Sequence, residues 1–266
     1  MTRYFAIKTK SFTLRETGET MKKIQDILYK DDDMEKLLDV YLPDGETSAV
    51  FVYLHGGGIL EGDKGCAEVF APYLTSHGVA LVSANYRMYP DAKYPDFIHD
   101  AADAVAWTNR YMRSTLECDK LYVGGSSAGG YISMMLCFDK QYLEGAGLDN
   151  SAIAGYFFDA GQPTAHFTVL KYRGIDPRRI IVDETAPIYH VGLLESYPPM
   201  HFIVSDDDIV NRYEQTMLMM RTLAHFGHTN YTHTVMHGTH CAYCGKTDEN
   251  GDGVLGKLIY SFIESK

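Results

Sequence analysis

The fold is decided by residues 120–129, which read K-L-Y-V-G-G-S-S-A-G. An apolar run typical of a buried strand leads directly into glycine and serine, and a helix-like stretch follows from Ala128. The spacing is G-x-S-x-G at a sharp strand-to-helix turn, which presents the hydroxyl of the central serine, Ser127. Gly125 and Gly129 suit this turn because a side chain there would collide with the neighbouring strand or helix. The N–H groups and the dipole of the following helix favour negative charge at Ser127, so we predict that Ser127 is a nucleophile.

Apolar, β-rich segments alternate with segments of helical period along most of the chain. This alternation predicts an α/β fold, with a mostly parallel eight-stranded sheet covered by helices on both faces. The strands are predicted at residues 23–29, 36–42, 49–54, 79–84, 121–124, 153–158, 201–204 and 231–236. The main helices are predicted at residues 67–77, 96–112, 129–138, 212–226 and 254–263.

Residues 159–199 have no clear rhythm of strands and helices. Irregular segments of this length inside a compact domain are often functional. An α/β chain of 266 residues commonly forms one domain. We therefore predict a single domain over residues 1–266, with residues 159–199 as a small lid-like or cap-like insertion.

The composition argues against several classes of partner. The net charge of −11 disfavours nucleic acid and anionic membranes, since both are polyanions. No apolar run approaches the roughly 20 residues that span a bilayer, and the first residues lack the apolar core of a signal peptide. Five cysteines, an odd number, do not suggest a disulfide framework. These features predict a soluble, cytoplasmic protein with reduced thiols, and they leave homo-oligomer formation open.

A serine hydroxyl becomes a strong nucleophile only when a base takes its proton and a third group orients that base. Asp206, Asp207 and Asp208 follow the predicted strand at residues 201–204. Ligand-binding side chains in α/β sheets lie at such carboxyl ends. We predict Asp208 as the acid. Asp206 and Asp207 stay open as alternatives, or as caps of the helix predicted to start at residue 212.

The base is predicted in the same way, from the end of the last strand. His237 lies at the strand end itself, whereas His240 lies on the loop that follows, after Gly238 and Thr239. The chain order serine, acid, histidine is the order used by sheets of this architecture. We predict His240 as the base, in preference to His237.

An attacked carbonyl also needs N–H donors for the negative charge that develops on its oxygen. Residues 55–58 read H-G-G-G directly after the predicted strand at residues 49–54, so backbone amides are unshielded there. We predict an oxyanion hole formed by the amides of Gly57, Gly58 and Ala128.

Together these motifs resemble those of the α/β-hydrolase superfamily, and within it the hormone-sensitive-lipase-like and feruloyl/acetyl-xylan-esterase-like carboxylesterases. Residues 38–43, which read L-D-V-Y-L-P, and residues 85–90, which read N-Y-R-M-Y-P, add to the resemblance. The pairs Tyr94-Pro95 and His99-Asp100 and residues 197–199, Y-P-P, also fit. The similarity extends from about residue 36 to the C-terminus.

The resemblance implies the α/β-hydrolase fold and a serine carboxylesterase that needs no cofactor. Its expected substrates are small esters of short acyl groups, acetyl or hydroxycinnamoyl, on alcohols that include oligosaccharides. An arylformamidase-like amidase would use the same residues and is the alternative. A non-catalytic ligand-binding protein on this fold is a third hypothesis, although such proteins generally lack the serine or the histidine.

Two further motifs favour structural roles. Cys241 and Cys244 form a single C-x-x-C beside the two candidate histidines, and no second ligand pair has the spacing of a zinc site. Residues 248–253 match the first half of an EF-hand loop, but its twelfth position is Ile259 instead of glutamate. We therefore predict no metal site, a thiol pair next to the catalytic loop, and a turn before the last helix.

Overall fold

The computed structural model describes residues 8–13, 20–31 and 35–266. Nine strands form one sheet in these parts of the chain. They are β1 (Lys8–Thr13), β2 (Thr20–Leu28), β3 (Leu37–Leu42), β4 (Ala49–Leu54), β5 (Val79–Ala84), β6 (Leu121–Ser126), β7 (Ile153–Asp159), β8 (Met200–Asp207) and β9 (Tyr231–Thr239).

The strand order is β1-β2-β3-β5-β4-β6-β7-β8-β9. The neighbours from β5 to β9 are all parallel, whereas β1, β2 and β3 join the sheet antiparallel. The predicted mostly parallel sheet is thus confirmed, but the prediction of eight strands was wrong because it missed β1. That strand reads K-T-K-S-F-T, without the apolar run that marks a buried strand, and its backbone pairs with β2 at the sheet edge.

Seven α-helices accompany the sheet in the described residues. They are α1 (Ala71–Ser76), α2 (Asp96–Tyr111), α3 (Ala128–Phe138), α4 (Gln141–Gly145), α5 (Phe167–Tyr172), α6 (Arg212–His225) and α7 (Val254–Glu264). Helices α1 and α7 pack with one core cluster, which includes Leu74 and Ile259. Helices α2, α3 and α6 pack with a second and larger cluster. The two clusters explain the two covered faces, and every residue of the central strands β4 and β5 is buried between them.

The chain enters residues 159–199 where β7 ends. This segment contains α5 and a 3₁₀ turn at Pro187–His190. Thr168, at the start of α5, donates from Oγ1 to the carbonyl oxygen of Gly58, at 2.6 Å, and so ties the segment to the glycine loop after β4. A lid function for this segment and a single domain for the whole chain stay predictions.

None of the described helices is long and apolar enough to cross a membrane.

Candidate active site

Ser127 lies in the turn between β6 and α3. Its backbone has φ 55° and ψ −109°, which is rare for a residue that carries a Cβ. A Cβ on Gly129 would lie 1.9 Å from the carbonyl oxygen of Leu54, and one on Gly125 would lie 2.4 Å from it. Both positions therefore require glycine because β4 passes so close to the turn.

The side chains of Ser127, His240 and Asp208 form one hydrogen-bonded chain. Nε2 of His240 lies 2.8 Å from Oγ of Ser127, and its Nδ1 lies 2.5 Å from Oδ1 of Asp208. The three residues come from the ends of β6, β8 and β9, whose carboxyl ends meet at one edge of the sheet. This arrangement gives the serine a base and gives the base an orienting carboxylate.

The Asp208 side chain is only 1% exposed and is held by backbone amides. The amide of Ser205 donates to Oδ2 at 3.1 Å, and the amide of Ile209 donates to Oδ1 at 2.7 Å. Burial acts to raise the pKa of Asp208, but the hydrogen bonds from His240 and the amides outweigh burial and lower that pKa. Asp208 is therefore ionised at neutral pH and fixed beside the imidazole.

The alternative candidates for the acid and the base, Asp206, Asp207 and His237, do not contact Ser127. Nδ1 of His237 lies 2.5 Å from Oδ2 of Asp206, and this second pair has no contact with Ser127. Asp207 is exposed. Neither Asp206 nor Asp207 caps α6, because Asn211 occupies that position and makes no side-chain cap. The structure thus brings Asp208 and His240 to Ser127 and leaves Asp206, Asp207 and His237 apart from it.

The predicted oxyanion residues surround the serine. Gly57 has φ +107°, and a Cβ there would lie 1.9 Å from the carbonyl oxygen of Glu61, so the loop requires glycine. Gly58 also has a positive φ, and Ala128 is the first residue of α3. Within the described chain, the amides of Gly57, Gly58 and Ala128 have no hydrogen-bond acceptor. Three N–H groups are therefore free beside Ser127 to meet a negative oxygen.

The glycine loop, residues 55–58, packs on an aromatic ring at its first residue. The ring of His55 stacks on that of Tyr86 with 4.4 Å between centroids, and the Tyr86 hydroxyl donates to the His55 carbonyl oxygen at 2.7 Å. Burial lowers the pKa of His55, which keeps the ring neutral. A neutral, stacked histidine fixes the start of the glycine loop.

Sequence reasoning missed Asp159, a fully buried carboxylate next to the serine turn. Its carbonyl oxygen accepts the Ser127 amide at 2.7 Å. Its carboxylate accepts hydrogen bonds from the Ser126 hydroxyl at 2.5 Å, from the Tyr243 hydroxyl, and from the Cys244 thiol at 3.2 Å. Burial raises the pKa of Asp159, although these hydrogen bonds act in the opposite direction. One residue thus joins the serine turn to the loop that carries His240.

The signal that could have found Asp159 is its place at the end of β7. It is an acidic residue directly after an apolar run, at the same sheet edge as the other site residues. Only its partners on other elements give it a role, and Tyr243 is 84 positions away in sequence.

The C-x-x-C lies inside the site. Ligand atoms of Cys241, Cys244 and Asp159 all lie within 4.8 Å of one another, and Sγ of Cys241 is 3.8 Å from Nε2 of His240. The hydrogen bond with Cys244, together with burial, raises the pKa of Cys241. The hydrogen bond from Cys241 lowers the pKa of Cys244, but burial and Asp159 outweigh it and raise that pKa. Both sulfurs are therefore thiols at neutral pH.

In the EF-hand-like loop, residues 248–253, the carboxylates are paired with a lysine side chain. Nζ of Lys257 contacts the Asp248 carboxylate and lies 3.1 Å from the Asp252 carboxylate. The loop also folds as a turn, since the amide of Asp248 donates to the carbonyl oxygen of Asp252. A lysine ammonium thus faces the two carboxylates that an EF-hand would turn toward calcium.

A cavity of about 680 Å³ opens at Ser127, and we call it the reaction cavity. This volume suits a small organic ligand. The ring of Phe167 lines it. Tyr131, in contrast, is fully buried and donates to the carbonyl oxygen of Thr185, so it is a core residue.

The family model BD-FAE matches residues 38–169, which include the glycine loop and the serine turn. This match covers just under half of the chain, so it shows a resemblance to this family over those residues. The match ends before Asp208 and His240, so it does not bear on those two residues. A solved structure of esterase B from Lactobacillus rhamnosis resembles the fold of this chain with a TM-score of 0.75 at 19% identity, covering 92% of this chain and 87% of that chain.

Curated relatives match this chain over shorter stretches. Probable carboxylesterase 6 from Arabidopsis thaliana is 33% identical over 95 residues, which cover 33% of this chain and 28% of that protein. Esterase LipI from Mycobacterium tuberculosis is 31% identical over 96 residues, which cover 35% of this chain and 30% of that protein. The matched residues span less than a third of the length of these relatives.

Proposed function

We propose that this α/β-hydrolase is a serine carboxylesterase that cleaves small esters through an acyl-enzyme intermediate. The observation that carries the proposal is the hydrogen-bonded chain from Ser127 through His240 to Asp208, next to three free backbone amides. The match to the BD-FAE family model over residues 38–169 and the similarity to curated esterases support the same activity.

The first half-reaction acylates the serine. Nε2 of His240 takes the proton of the Ser127 hydroxyl while Oγ forms a bond to the ester carbonyl carbon. The amides of Gly57, Gly58 and Ala128 donate to the resulting oxyanion, and one such donor is worth about 10²- to 10³-fold in rate. His240 then gives its proton to the leaving alcohol as the carbon–oxygen bond breaks.

The second half-reaction releases the acid. His240 removes a proton from water, the hydroxide attacks the acyl carbonyl, and the proton returns to Oγ of Ser127 as the acyl bond breaks. Asp208, ionised and buried, stabilises the imidazolium ion that forms twice in each cycle. Apart from water and the ester itself, the proposed steps use only groups of this chain.

We propose short acyl groups, acetyl or hydroxycinnamoyl, as the acid part of the substrate. Of the residues that line the reaction cavity, Leu60 and Ile209 are the aliphatic ones, and thiol, hydroxyl and carboxylate groups make up much of the rest. A long acyl chain would need a longer apolar wall. Phe167 offers a ring on which a sugar or an aryl group stacks. The proposal also includes oligosaccharides as the alcohol part of the ester. It places the protein and its substrate in the cytoplasm.

Hydrolysis of p-nitrophenyl esters from acetate to laurate tests the proposal, with wild type beside Ser127→Ala. We expect a steep preference for acetate that the substitution removes. A fluorophosphonate probe should also add its mass to Ser127 in wild type only. If well-folded wild type cleaves no ester of any length, the proposal is wrong. N-formylkynurenine is then the next substrate, because an arylformamidase would use the same residues.

A further inference from the structure

A second cavity, of about 600 Å³, adjoins the reaction cavity, and Phe167 and Ile209 line both. Arg178, Arg179 and Arg212 also line it, and we call it the arginine cavity. Among the described residues that line it there is no aspartate or glutamate. In a chain with a net charge of −11, this is a local site of positive charge.

Arg212 is a buried cation without a carboxylate partner. Its side chain donates to the carbonyl oxygen of Ala160 and, at 3.2 Å, to Oε1 of Gln162. No carboxylate in the described chain lies within 4 Å of it, and Asp208 acts on its charge from farther away. An arginine side chain stays charged in proteins, and a buried one is normally paired. An anion in this cavity would supply the missing opposite charge.

The two exposed arginines differ from each other. Arg178 is held by the Asp176 carboxylate, with Nη2 2.6 Å from Oδ2. Arg179 is exposed, and none of the described carboxylates lies within 4 Å of its side chain; Asp176 acts on its charge from farther away. Arg179 is therefore the guanidinium at the cavity mouth that is free to bind a carboxylate in two-pronged fashion.

The two cavities have opposite charge. The reaction cavity contains Glu61 and, in the part of the chain that the structure describes, no lysine or arginine. A substrate with a negative group would therefore be repelled near Ser127 and attracted beyond Phe167. Ile180 and Val210, both exposed, add apolar wall to the arginine cavity. The shape and charge fit an apolar or aromatic spacer between the reacting ester and the anion.

We propose that the arginine cavity binds the alcohol part of the ester substrate, and that this part ends in a carboxylate. The inference rests on the proposed function, since it needs the ester carbonyl at Ser127. The alcohol part is assigned because a short acyl group would not reach past Phe167 and Ile209. The substrate class is therefore short-chain acyl esters of hydroxy acids that carry an apolar or aromatic spacer, and such an alcohol part takes the place of the oligosaccharide named above.

Matched acetyl esters test the proposal. The anionic substrate is 3-(4-acetoxyphenyl)propanoate, and the neutral one is the corresponding primary amide, which has the same shape. We expect wild type to hydrolyse the anion with a kcat/KM about tenfold higher, mainly through KM. The preference should shrink as the salt concentration rises from about 0.02 M to 0.5 M. Arg179→Gln should remove most of it, whereas Arg221→Gln, an exposed arginine of α6 outside both cavities, should preserve it.

A second matched pair places the charge on the acyl side, as mono-p-nitrophenyl adipate and its terminal amide. Preference for the anion in this pair alone would overturn the assignment to the alcohol part. Equal rates for anion and amide in both pairs would overturn the arginine cavity as an anion site, while leaving the esterase intact. Turnover of no ester at all would instead contradict the proposed function.

If wild type hydrolyses no ester, ligand binding to the arginine cavity can still be measured. Calorimetry of Ser127→Ala with 4-phenylbutyrate and with 4-phenylbutyramide compares anion and amide directly. We expect the carboxylate to bind about tenfold more tightly, and the double variant with Arg179→Gln to lose that difference. Equal affinity of the two ligands for Ser127→Ala would overturn the inference.

Discussion

Two Asp–His pairs bridge the ends of β8 and β9, and their geometry is nearly the same. Nδ1 lies 2.5 Å from a carboxylate oxygen both in the Asp206–His237 pair and in the Asp208–His240 pair. Their surroundings differ: the His237 side chain is 96% exposed, whereas that of His240 is 21% exposed. In the described chain only His240 has a further partner, Ser127, on its other ring nitrogen.

The comparison teaches that a hydrogen-bond distance alone does not make a catalytic pair. Water screens the exposed Asp206–His237 pair and replaces its contacts at little cost. Asp208 is held by two backbone amides in addition to His240, so its orientation is fixed before a substrate arrives. We expect the buried pair to control activity and the exposed pair to be dispensable.

The largest difference between the pairs should appear when each histidine is removed. His240→Ala should lower kcat for p-nitrophenyl acetate by about 10⁴- to 10⁶-fold, because no other base among the described residues contacts the Ser127 hydroxyl. His237→Ala should change kcat by less than about twofold, since surface substitutions rarely matter. The two variants are compared at equal concentration after circular dichroism shows the same fold. Equal losses in both would mean that the exposed pair takes part in the reaction.

Removal of each carboxylate gives a smaller contrast. Asp208→Asn should lower kcat by about 10⁴-fold, because the amide favours the wrong tautomer of His240 and leaves its imidazolium unstabilised. Asp206→Asn is the matched control at the exposed pair and should have wild-type kcat. Full activity of Asp208→Asn would mean that another carboxylate orients His240. Asp159 would be the first candidate to test.

Asp159 supports the buried pair and not the exposed one, since Tyr243 and Cys244 follow His240 on the same loop. Asp159→Asn places an NH₂ donor among three hydroxyl and thiol donors, so at least one buried hydrogen bond is lost. We expect a loss of about 1–3 kcal/mol in the free energy of unfolding. A roughly tenfold lower kcat should accompany it, because a small displacement of His240 is costly.

Tyr243→Phe provides the graded control for Asp159. It removes one donor without adding another, so urea unfolding should show a smaller loss, about 1 kcal/mol. If Asp159→Asn lowers stability with kcat unchanged, Asp159 holds the fold together without positioning His240.

Much of this site could be predicted from the sequence because its parts lie at strand ends. The apolar runs at Ala49–Leu54 and Leu121–Ser126 mark central strands, and the glycine loop and the serine turn follow them directly. The choice between Asp206 and Asp208 was harder, since three consecutive aspartates share one strand end. Which aspartate faces His240 depends on a register shift between β8 and β9 at Ser205–Asp207, and no pattern of residues in the sequence predicts that shift.

Other features depend on contacts between distant segments. The Asp159 network needs Tyr243, and the arginine cavity needs residues 177–180 to lie beside the start of α6. Residues 159–199 have no periodicity from which that placement follows. The strand β1 was missed for a related reason: its sequence is polar, and its pairing with β2 is a backbone property.

The smallest expected contrast between the two pairs is in stability at acidic pH. The folded-state pKa of Asp208 lies below the unfolded value of about 3.9, so its ionised form is stabilised in the fold. That stabilisation is complete above the unfolded pKa and is lost as pH falls through the folded pKa. The difference in unfolding free energy between wild type and Asp208→Asn should therefore narrow between about pH 6 and pH 3.

The stabilisation that Asp206 contributes should also be lost as pH falls, but unlike that of Asp208 it should depend on the salt concentration. The pKa of Asp206 is lowered by the Gly238 amide and by His237, so wild type and Asp206→Asn should also converge on acidification. Raising the salt concentration to about 0.5 M should weaken that convergence for Asp206, because its charge is in water, and leave it unchanged for Asp208. Urea unfolding of the three proteins at two pH values and two salt concentrations measures both effects. A salt-sensitive Asp208 effect would show that water reaches the buried pair, and the difference between the two pairs would then be one of degree.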